Sequence, residues 1–465
     1  MKRKIFAILL VVSIVFVSCF DDSDDSISPA STLDIQNFIW RGLNFFYLYK
    51  ADTPELANDA FASQGELDTF LGTFDTPETL FDFLKSPQDR FSILVDDYIA
   101  LENALSGTTL NNGMEFGLVF YPDNSGNVFG YVRYILPGTD AESKGLQRGI
   151  IFNTVDGQQI DENNFRDLLA PSVYTIGLAT FDGTTVTPTG ESVELVATEY
   201  TENPVFLTRT LNVEGQNIGY LMYNAFTAEF DGQLNGAFSQ FQASGITELV
   251  LDLRYNGGGS VESSKDLSSM ITGQFNGQVY FTEEWNADRQ DEFAQNGVFD
   301  NNIRTGEAIN SLNLSRVYVI TTGRTASASE LLINGLDPYI DVIQVGGTTE
   351  GKFQASFILY DAPAPAFSRS QANPDHTYAM LPLVFKTVNV AGVTDFIDGL
   401  VPDLELNEDF SNLGVLGEET EPLLAAALND IVAGPQPING DFIPLEVFSE
   451  SKATSPSYQI MVAEQ

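Results

Sequence analysis

Cysteine and histidine are almost absent from this chain of 465 residues, which contains one of each. A single cysteine, Cys19, excludes an intrachain disulfide. With one histidine, any Ser-His-Asp triad would have to use His376, and the residues around it (374–377) indicate a loop. The sequence has no metal-ligand spacing, no phosphate-binding glycine loop and no dinucleotide fingerprint. It therefore predicts neither a metal nor a cofactor.

Basic residues are also scarce, with 22 lysines and arginines against 64 aspartates and glutamates, so the formal net charge is −42. Such a surface repels a phosphate backbone, which argues against nucleic-acid binding. Solvated acidic faces explain this excess, and attraction of a basic partner is the alternative. The hydrophobic content of 43% is that of a globular chain, and the length predicts about two to four domains.

The first residues have the pattern of a secretory signal, predicted here as residues 1–18. A basic start is followed by an apolar run over 5–17, which is too short to span a bilayer comfortably. The sequence Phe16-Val17-Ser18-Cys19 resembles a bacterial lipobox, in which the cysteine becomes the lipidated N terminus. This predicts a lipid anchor at Cys19. The alternative is an ordinary signal peptide with an incidental cysteine.

An acidic run follows the cysteine, and residues 19–31 are predicted to form a flexible tether. The run resembles export signals of bacterial surface lipoproteins, although a solvated linker explains it equally well. The expected location is extracytoplasmic, with the chain anchored to the cell envelope at the outer membrane or cell surface.

Hydrophobic periodicity divides the rest of the chain. Residues 32–111 have apolar positions at helical spacing and predict an N-terminal helical domain. Residues 205–435 alternate strands with helices and predict an α/β core around a buried sheet. Residues 436–465 show no strong pattern and are taken as a C-terminal tail.

Between these parts, residues 112–200 read as short alternating strands with glycine-containing turns. Gly117-Leu118-Val119-Phe120 stands where PDZ domains carry Gly-Leu-Gly-Phe, and the block resembles a PDZ domain of the bacterial type. The resemblance implies that loop amides bind a peptide carboxylate while the peptide adds a strand to the sheet. Whether this domain binds peptides or gates a site is left open.

Ser327 is the candidate nucleophile. It follows an apolar strand and opens a helix, and Lys352 follows the next strand. A serine hydroxyl needs a neighbouring base, and a lysine can serve once burial has removed its charge. For the oxyanion, Ala328 N–H at the helix start is one candidate donor and the loop Gly257-Gly258-Gly259 offers another.

Each of these features also has a structural explanation. Ser327 with Glu330 fits a capping box, which would only stabilise the helix start. A run of glycines is usually a turn, and one lysine is usually a surface residue. The catalytic interpretation depends on the three features occurring together at strand ends.

The combination resembles the carboxyl-terminal processing (tail-specific) Ser-Lys peptidase family, which carries a PDZ domain. The resemblance rests on residues 252–259, 325–330, 351–352 and 399–403. It implies a multidomain α+β protein with an N-terminal helical segment, a PDZ-like β domain and a crotonase-like α/β peptidase core. It also implies that Ser327 is the nucleophile and Lys352 the general base, with Ala328 and the Gly257–Gly258 turn holding the oxyanion.

One position departs from the family. Many members orient the lysine with a glutamine four residues later, where this chain has Ser356, while Gln354 lies two residues after Lys352. The third catalytic member therefore stays open. The departure leaves two hypotheses: a lipid-anchored serine endopeptidase acting on extracytoplasmic polypeptides, or a catalytically inactive peptide-binding or scaffold lipoprotein. A glycan- or nutrient-handling surface lipoprotein is a further alternative.

Overall fold

The structure, a computed structural model, describes residues 29–434 and 445–464. The predicted signal peptide, Cys19 and most of the acidic tether lie outside these residues, and so does the start of the predicted tail. None of the helices in the described part combines the length and the apolar character needed to span a bilayer.

The N-terminal part is mainly helical, as the periodicity predicts. Helix α1 begins with a capping box in which Ser31 and Asp34 exchange hydrogen bonds, and its apolar face is buried. Short 3₁₀ turns at Lys50–Asp52 and Pro54–Leu56 interrupt the helices. The elements are α1 (Thr32–Phe46), α2 (Gln64–Leu71), α3 (Pro77–Leu84), β1 (Ile93–Val95) and α4 (Tyr98–Leu105).

A second region is built around an antiparallel sheet whose edge strand β23 (Val447–Glu450) comes from the end of the described chain, followed in order by β3, β4, β5, β7 and β8. The segment Gly117–Phe120, predicted to lie among short strands, is part of β3. Its elements are β2 (Thr108–Asn111), β3 (Met114–Phe120), β4 (Val128–Ile135), α5 (Asp140–Ser143), β5 (Ile151–Val155), β6 (Gln158–Gln159), α6 (Phe165–Leu169), β7 (Val173–Phe181), β8 (Val186–Val196) and β9 (Thr198–Thr201).

The third region alternates strands and helices. Its elements are β10 (Val205–Val213), β11 (Gln216–Tyr223), α7 (Asp231–Ser244), β12 (Glu248–Asp252), β13 (Gly259–Ser260), α8 (Val261–Thr272), β14 (Val279–Trp285), α9 (Gln290–Phe293), β15 (Asn296–Val298), β16 (Arg316–Thr321), α10 (Ala328–Leu336), β17 (Asp341–Gly346), β18 (Gln354–Ser356), β19 (Leu359–Tyr360), β20 (Ala379–Leu381), β21 (Leu383–Asn389), β22 (Leu404–Glu405) and α11 (Pro422–Ala433). Two further 3₁₀ turns lie at Ala228–Phe230 and Arg369–Gln371. The last residues add β23 (Val447–Glu450) and β24 (Met461–Val462).

The main sheet of this region has the order β10-β11-β12-β16-β17-β22 and is parallel from β11 to β22. One face packs on α11, and the other packs on α7, α8 and α10. Both faces of the sheet are therefore buried, which explains the continuous apolar runs of β12 and β16. The carboxyl ends of β12, β16 and β17 lie at one edge, where ligand sites of such sheets usually form.

A second sheet has the order β13-β24-β18-β21-β14-β15, and its strands β13 and β18 follow β12 and β17 in the chain. The last strand of the chain, β24, lies between β13 and β18 and is parallel to both. The sequence assigns no element to the tail. The structure forms two strands there, and each of them pairs with a strand far away in sequence.

A buried ionic cluster joins the second region to the main sheet. Arg254 is fully buried and pairs with Asp252 at 2.7 Å and with Glu421 at 2.6 Å. Arg148 of the second region pairs with Glu408 at 2.7 Å, and Glu408 also contacts Arg254 at 3.3 Å. These charges are buried away from water. Removing one of them would leave its partners as unpaired buried charges and would lower the stability of the fold.

Candidate active site

Three loops meet at the carboxyl edge of the main sheet. They follow β12, β16 and β17 and carry the glycine run, Ser327 and Lys352 respectively. The Asn256 carbonyl accepts from Ala326 N–H at 3.1 Å and from the Ser329 hydroxyl at 3.2 Å, which ties the first loop to the second. The structure thus brings the residues predicted for the site into one region.

Ser327 has an unusual backbone, with φ +67° and ψ −117°. For a residue with a side chain this conformation costs about 1–3 kcal/mol, and such strain is found mostly at functional sites. The side chain is buried, and its Oγ has no hydrogen-bond partner among the described residues. Ser327 and Glu330 have the arrangement of a capping box, and the bond in it that is formed is the one from Ser327 N–H to the Glu330 carboxylate.

Glu330 fixes the backbone of both candidate catalytic residues. Its Oε2 accepts from Ser327 N–H at 2.7 Å and from Lys352 N–H at 2.8 Å. Its Oε1 accepts from Gly351 N–H at 2.7 Å and from the Thr349 hydroxyl at 2.6 Å. Burial raises the pKa of Glu330 to about 7 against these hydrogen bonds, which favour the ionised form.

Glu330 thus links the backbones of Ser327 and Lys352, whereas its spacing in the sequence predicts only part of a helix cap. The signal in the sequence was the Ser-x-x-Glu spacing, which predicts the bond to Ser327 N–H. The sequence does not predict the bond from Lys352 N–H to Glu330, because that bond depends on how the loop after β17 folds back.

Lys352 lies in the pocket that a lysine base requires. Its side chain is fully buried, and its Nζ is 4.9 Å from the ring centroid of Phe91. Burial lowers the pKa of Lys352 to about 7, and the nearby carboxylates of Asp89 and Glu330 act in the opposite direction. The sequence predicted neither Phe91 nor Asp89 at the site, because both come from the N-terminal region.

The amine of Lys352 does not bind the serine in this structure. It donates to the main-chain carbonyl of Gln459 at 2.9 Å, while Ser327 Oγ has no partner among the described residues. The N-terminal and C-terminal parts of the chain therefore both help to enclose the amine.

The glycine loop lies directly against the serine. A Cβ on Gly258, whose φ is +105°, would stand 2.6 Å from Ser327 Cβ and 2.7 Å from its Oγ. Only glycine permits this approach. The Gly258 N–H donates to Asn256 Oδ1 at 2.9 Å. Within the described residues, the N–H groups of Gly257 and Ala328 have no acceptor.

The two residues considered for the third catalytic role lie on β18. Gln354 Nε2 donates to the Tyr49 hydroxyl at 2.7 Å, and its Oε1 has no partner in the described chain. Ser356 Oγ is likewise buried without a partner among those residues. Neither side chain is hydrogen-bonded to Lys352, so the third catalytic role is not assigned to any residue.

The segment Gly117–Phe120 lies apart from these loops, on β3. Its strand forms a ladder with β4 on one side and with β23 on the other. A Cβ on Gly117 would stand 2.5 Å from the Tyr131 ring, so this glycine is required by packing as well.

Comparisons with known proteins point to one family. The model of Peptidase family S41 matches residues 217–361, which include Ser327 and Lys352. The model of the Peptidase S41 N-terminal domain matches residues 34–93.

Two curated relatives agree with these models. The chain is 25% identical over 328 residues to the C-terminal processing peptidase, chloroplastic, of Tetradesmus obliquus, covering 67% of each chain. It is 25% identical over 305 residues to a carboxyl-terminal-processing protease of Picosynechococcus sp., covering 63% of this chain and 64% of the relative. The matched region thus spans about two thirds of each relative's length.

Among solved structures, a candidate S41 protease from Bacteroides fragilis NCTC 9343 superposes with a TM-score of 0.67 at 27% identity. The match covers 85% of this chain and 96% of that protein.

Proposed function

Because models of peptidase family S41 match residues 34–93 and 217–361, we propose that this chain is a serine endopeptidase of that family, in which Ser327 is the nucleophile and Lys352 the general base. The proposal rests on the Glu330 carboxylate, which accepts hydrogen bonds from the N–H groups of both residues; this contact is called the Glu330 clamp here. It holds Ser327 near the buried amine of Lys352, whose pKa is lowered to about 7. A buried lysine of this kind is neutral often enough to accept a proton at physiological pH.

The reaction proceeds through an acyl-enzyme. The neutral amine of Lys352 takes the proton of Ser327, and Oγ attacks the carbonyl carbon of the peptide bond. The C–N bond then breaks, and the leaving amine receives the proton from the lysine ammonium. Water, deprotonated by the same amine, attacks the ester, so that the product acid leaves and the serine recovers its hydrogen.

The developing oxyanion needs hydrogen-bond donors that are already in place. Ala328 N–H is suited to this role, because it lies at the start of α10 and has no acceptor among the described residues. Gly257 N–H is likewise without an acceptor in that part of the chain. Gly258 N–H can contribute once it releases Asn256 Oδ1, which it binds in this structure.

The second region is proposed to be a PDZ-like domain that selects polypeptide substrates. Support comes from the five-strand core of its sheet and from the position of Gly117–Phe120 on β3, next to an added strand. Addition of a strand at such an edge is the way in which PDZ domains bind peptides. The third region is proposed as the crotonase-like peptidase core.

The location is proposed from the sequence alone. A lipidated Cys19 would hold the enzyme at the extracytoplasmic side of the cell envelope, where its substrates would be extracytoplasmic polypeptides. Metabolic labelling with a radioactive fatty acid tests this, because Cys19→Ser would abolish the label while leaving the amount of protein unchanged.

Cleavage of a fluorescently labelled unfolded protein tests the proposed activity. Ser327→Ala and Lys352→Ala are each expected to lower the rate at least about 1,000-fold, as loss of a nucleophile or base does in other serine peptidases. The matched controls are Ser370→Ala and Lys144→Ala, which change the same residue types at exposed positions. Cleavage that survives in either site variant would rule out the Ser-Lys assignment.

A further inference from the structure

The described end of the chain, residues 445–464, is called the tail segment here. It contacts two distant places: strand β3 at the edge of the second region, and the loops that carry the glycine run and Lys352. No sequence pattern predicts either contact.

At the first place the tail segment adds a strand to the sheet. Strand β23 pairs antiparallel with β3, so that Val447 lies opposite Val119 and Glu450 lies opposite Gly117. This is the strand that carries the PDZ-like motif. The tail segment therefore occupies the edge at which a peptide ligand would bind.

Two side chains anchor this strand. Phe448 stacks on Phe120 of β3 at a centroid distance of 4.5 Å and meets Phe165 of α6 edge-on at 5.3 Å. It thus fills the groove between β3 and α6.

Two residues further on, the Glu450 carboxylate is buried and forms ion pairs with Arg133 and Arg324. Burial acts to raise the pKa of Glu450, but these two guanidinium groups outweigh it and hold the pKa below its ordinary value. The contacts require an aromatic residue followed two positions later by an acid. Because Arg324 lies just before Ser327, the ion pair also links the second region to the catalytic loop.

At the second place strand β24 lies between β13, which follows the glycine loop, and β18, which follows Lys352; the space between these strands is called the catalytic cleft here. Ile460 and Met461 are buried, with 2% and 0% of their surface exposed. The Ile460 carbonyl accepts from Gly259 N–H at 2.8 Å, and Ala463 N–H donates to the Ser356 carbonyl at 3.0 Å. Lys352 Nζ donates to the carbonyl of the preceding residue, Gln459.

This arrangement is not the one that cleavage needs. The general base binds a carbonyl oxygen instead of the serine hydroxyl, and Ser327 Oγ has no partner among the described residues. No carbonyl of the tail segment reaches Ala328 N–H, the donor proposed for the oxyanion. Peptide backbone fills the cleft, yet the nucleophile, base and oxyanion donor are not aligned on one bond.

We propose that residues 445–464 are a tethered pseudosubstrate, which blocks the catalytic cleft and the β3–α6 groove together, and that the substrates displacing it are polypeptides with the same aromatic-x-acidic pattern. The inference rests on the proposed peptidase function. Because the segment belongs to the same chain, its effective concentration at the two sites is on the order of millimolar. A substrate must therefore bind both places, or bind one tightly, before the site is free.

The test uses the full chain and a fluorogenic peptide that contains an aromatic-x-acidic sequence. Phe448→Ala and Glu450→Gln are expected to raise kcat/KM at least about tenfold, because each weakens docking of the tail segment. Glu446→Gln, the same chemical change at an exposed residue of the same segment, is the matched control and should match the wild type.

Binding is measured separately from catalysis. A labelled synthetic peptide of residues 445–464 should bind the Phe448→Ala chain, as seen by fluorescence anisotropy, and should inhibit it by raising KM with kcat unchanged. The wild-type chain should bind the peptide at least about tenfold more weakly, because its own segment competes. The Phe448→Ala measurement decides the matter even where Glu450→Gln fails to fold with Arg133 left unpaired.

The outcomes separate the two proposals. Equal cleavage by the wild type and both tail variants overturns the pseudosubstrate and leaves the peptidase function standing. Peptide binding without cleavage by any variant supports the docking and overturns the peptidase function. Loss of a C-terminal fragment from the purified wild type, detected as a lower intact mass, shows a substrate instead of an inhibitor and overturns the inference.

Discussion

The pH dependence of catalysis should follow the amine of Lys352. Burial lowers its pKa from the ordinary value of 10.5 to about 7, a difference of about 5 kcal/mol in favour of the neutral form. At pH 7 about half of the molecules then hold a neutral base. An ordinary lysine would be neutral in only about one molecule in 3,000 at this pH.

The sign follows from the role of the amine. Only neutral Lys352 can accept the serine proton, so kcat should rise with pH through about 7 and become constant above about 8. Measured at saturating peptide, kcat reports the bound enzyme, in which substrate replaces the tail segment around the amine. Glu330 has a pKa near 7 as well, so the observed midpoint belongs to both groups.

Phe91→Ser tests the cause of the shift. The ring of Phe91 covers the amine at 4.9 Å, and a smaller polar side chain would admit water and favour the ammonium form. We expect the midpoint to move upward by about one unit, so that kcat falls about tenfold at pH 6.5 and recovers above pH 9. Phe83→Ser, at a residue that is 49% exposed, is the control.

The measurement is a series of kcat values from pH 5.5 to 10 for the three proteins. A midpoint near 10 in the wild type would refute the buried-base argument, and so would a rate independent of pH. A midpoint that stays in place in Phe91→Ser would show that the ring does not control the charge of the amine.

Three further substitutions test other parts of the site. Glu330→Gln should lower kcat about 10- to 100-fold and the free energy of unfolding in urea by about 3 kcal/mol, because an amide cannot accept all four hydrogen bonds. Arg254→Met should cost about 3–5 kcal/mol in the same unfolding experiment, whereas the exposed Arg209→Met should cost less than about 1 kcal/mol. Gly258→Ala should lower kcat/KM about 100-fold, whereas Gly215→Ala, also at positive φ but in open space, should leave it unchanged.

For each of these substitutions, a different result would contradict the prediction. Full activity of Glu330→Gln would show that the clamp does not position the catalytic residues. Equal destabilisation by the two arginine variants would contradict the argument from burial. A Gly258→Ala enzyme as active as the Gly215→Ala enzyme would mean that the serine does not need the glycine beside it.

Much of the α/β core was predictable because its signals are local. The apolar run over residues 249–253 predicts a buried strand and forms β12 at Glu248–Asp252, and the helical spacing over residues 231–243 predicts a helix, which is α7 at Asp231–Ser244. A strand that is buried on both faces must be apolar at nearly every position, and a helix shows its own period. The strand–loop–helix order around Ser327 follows from the same patterns.

The surroundings of the lysine were not predictable in this way. Phe91 precedes Lys352 by more than two hundred residues, and Gln459 follows it by more than one hundred. Nothing in either local sequence predicts contact with an amine. The two tail strands are short and pair with strands far away in the chain, so their local sequence has no period to detect.

The sequence by itself determined the candidate nucleophile and base, the glycine loop and the order of elements that carries them to strand ends. Only the tertiary structure decided that Lys352 is fully buried, that the Glu330 carboxylate binds the N–H groups of both Ser327 and Lys352, and that the carbonyl of Gln459 binds the lysine amine. Side-chain type and spacing can be read from a short stretch of sequence. Desolvation and strand pairing between distant segments arise only when the folded chain brings those segments together.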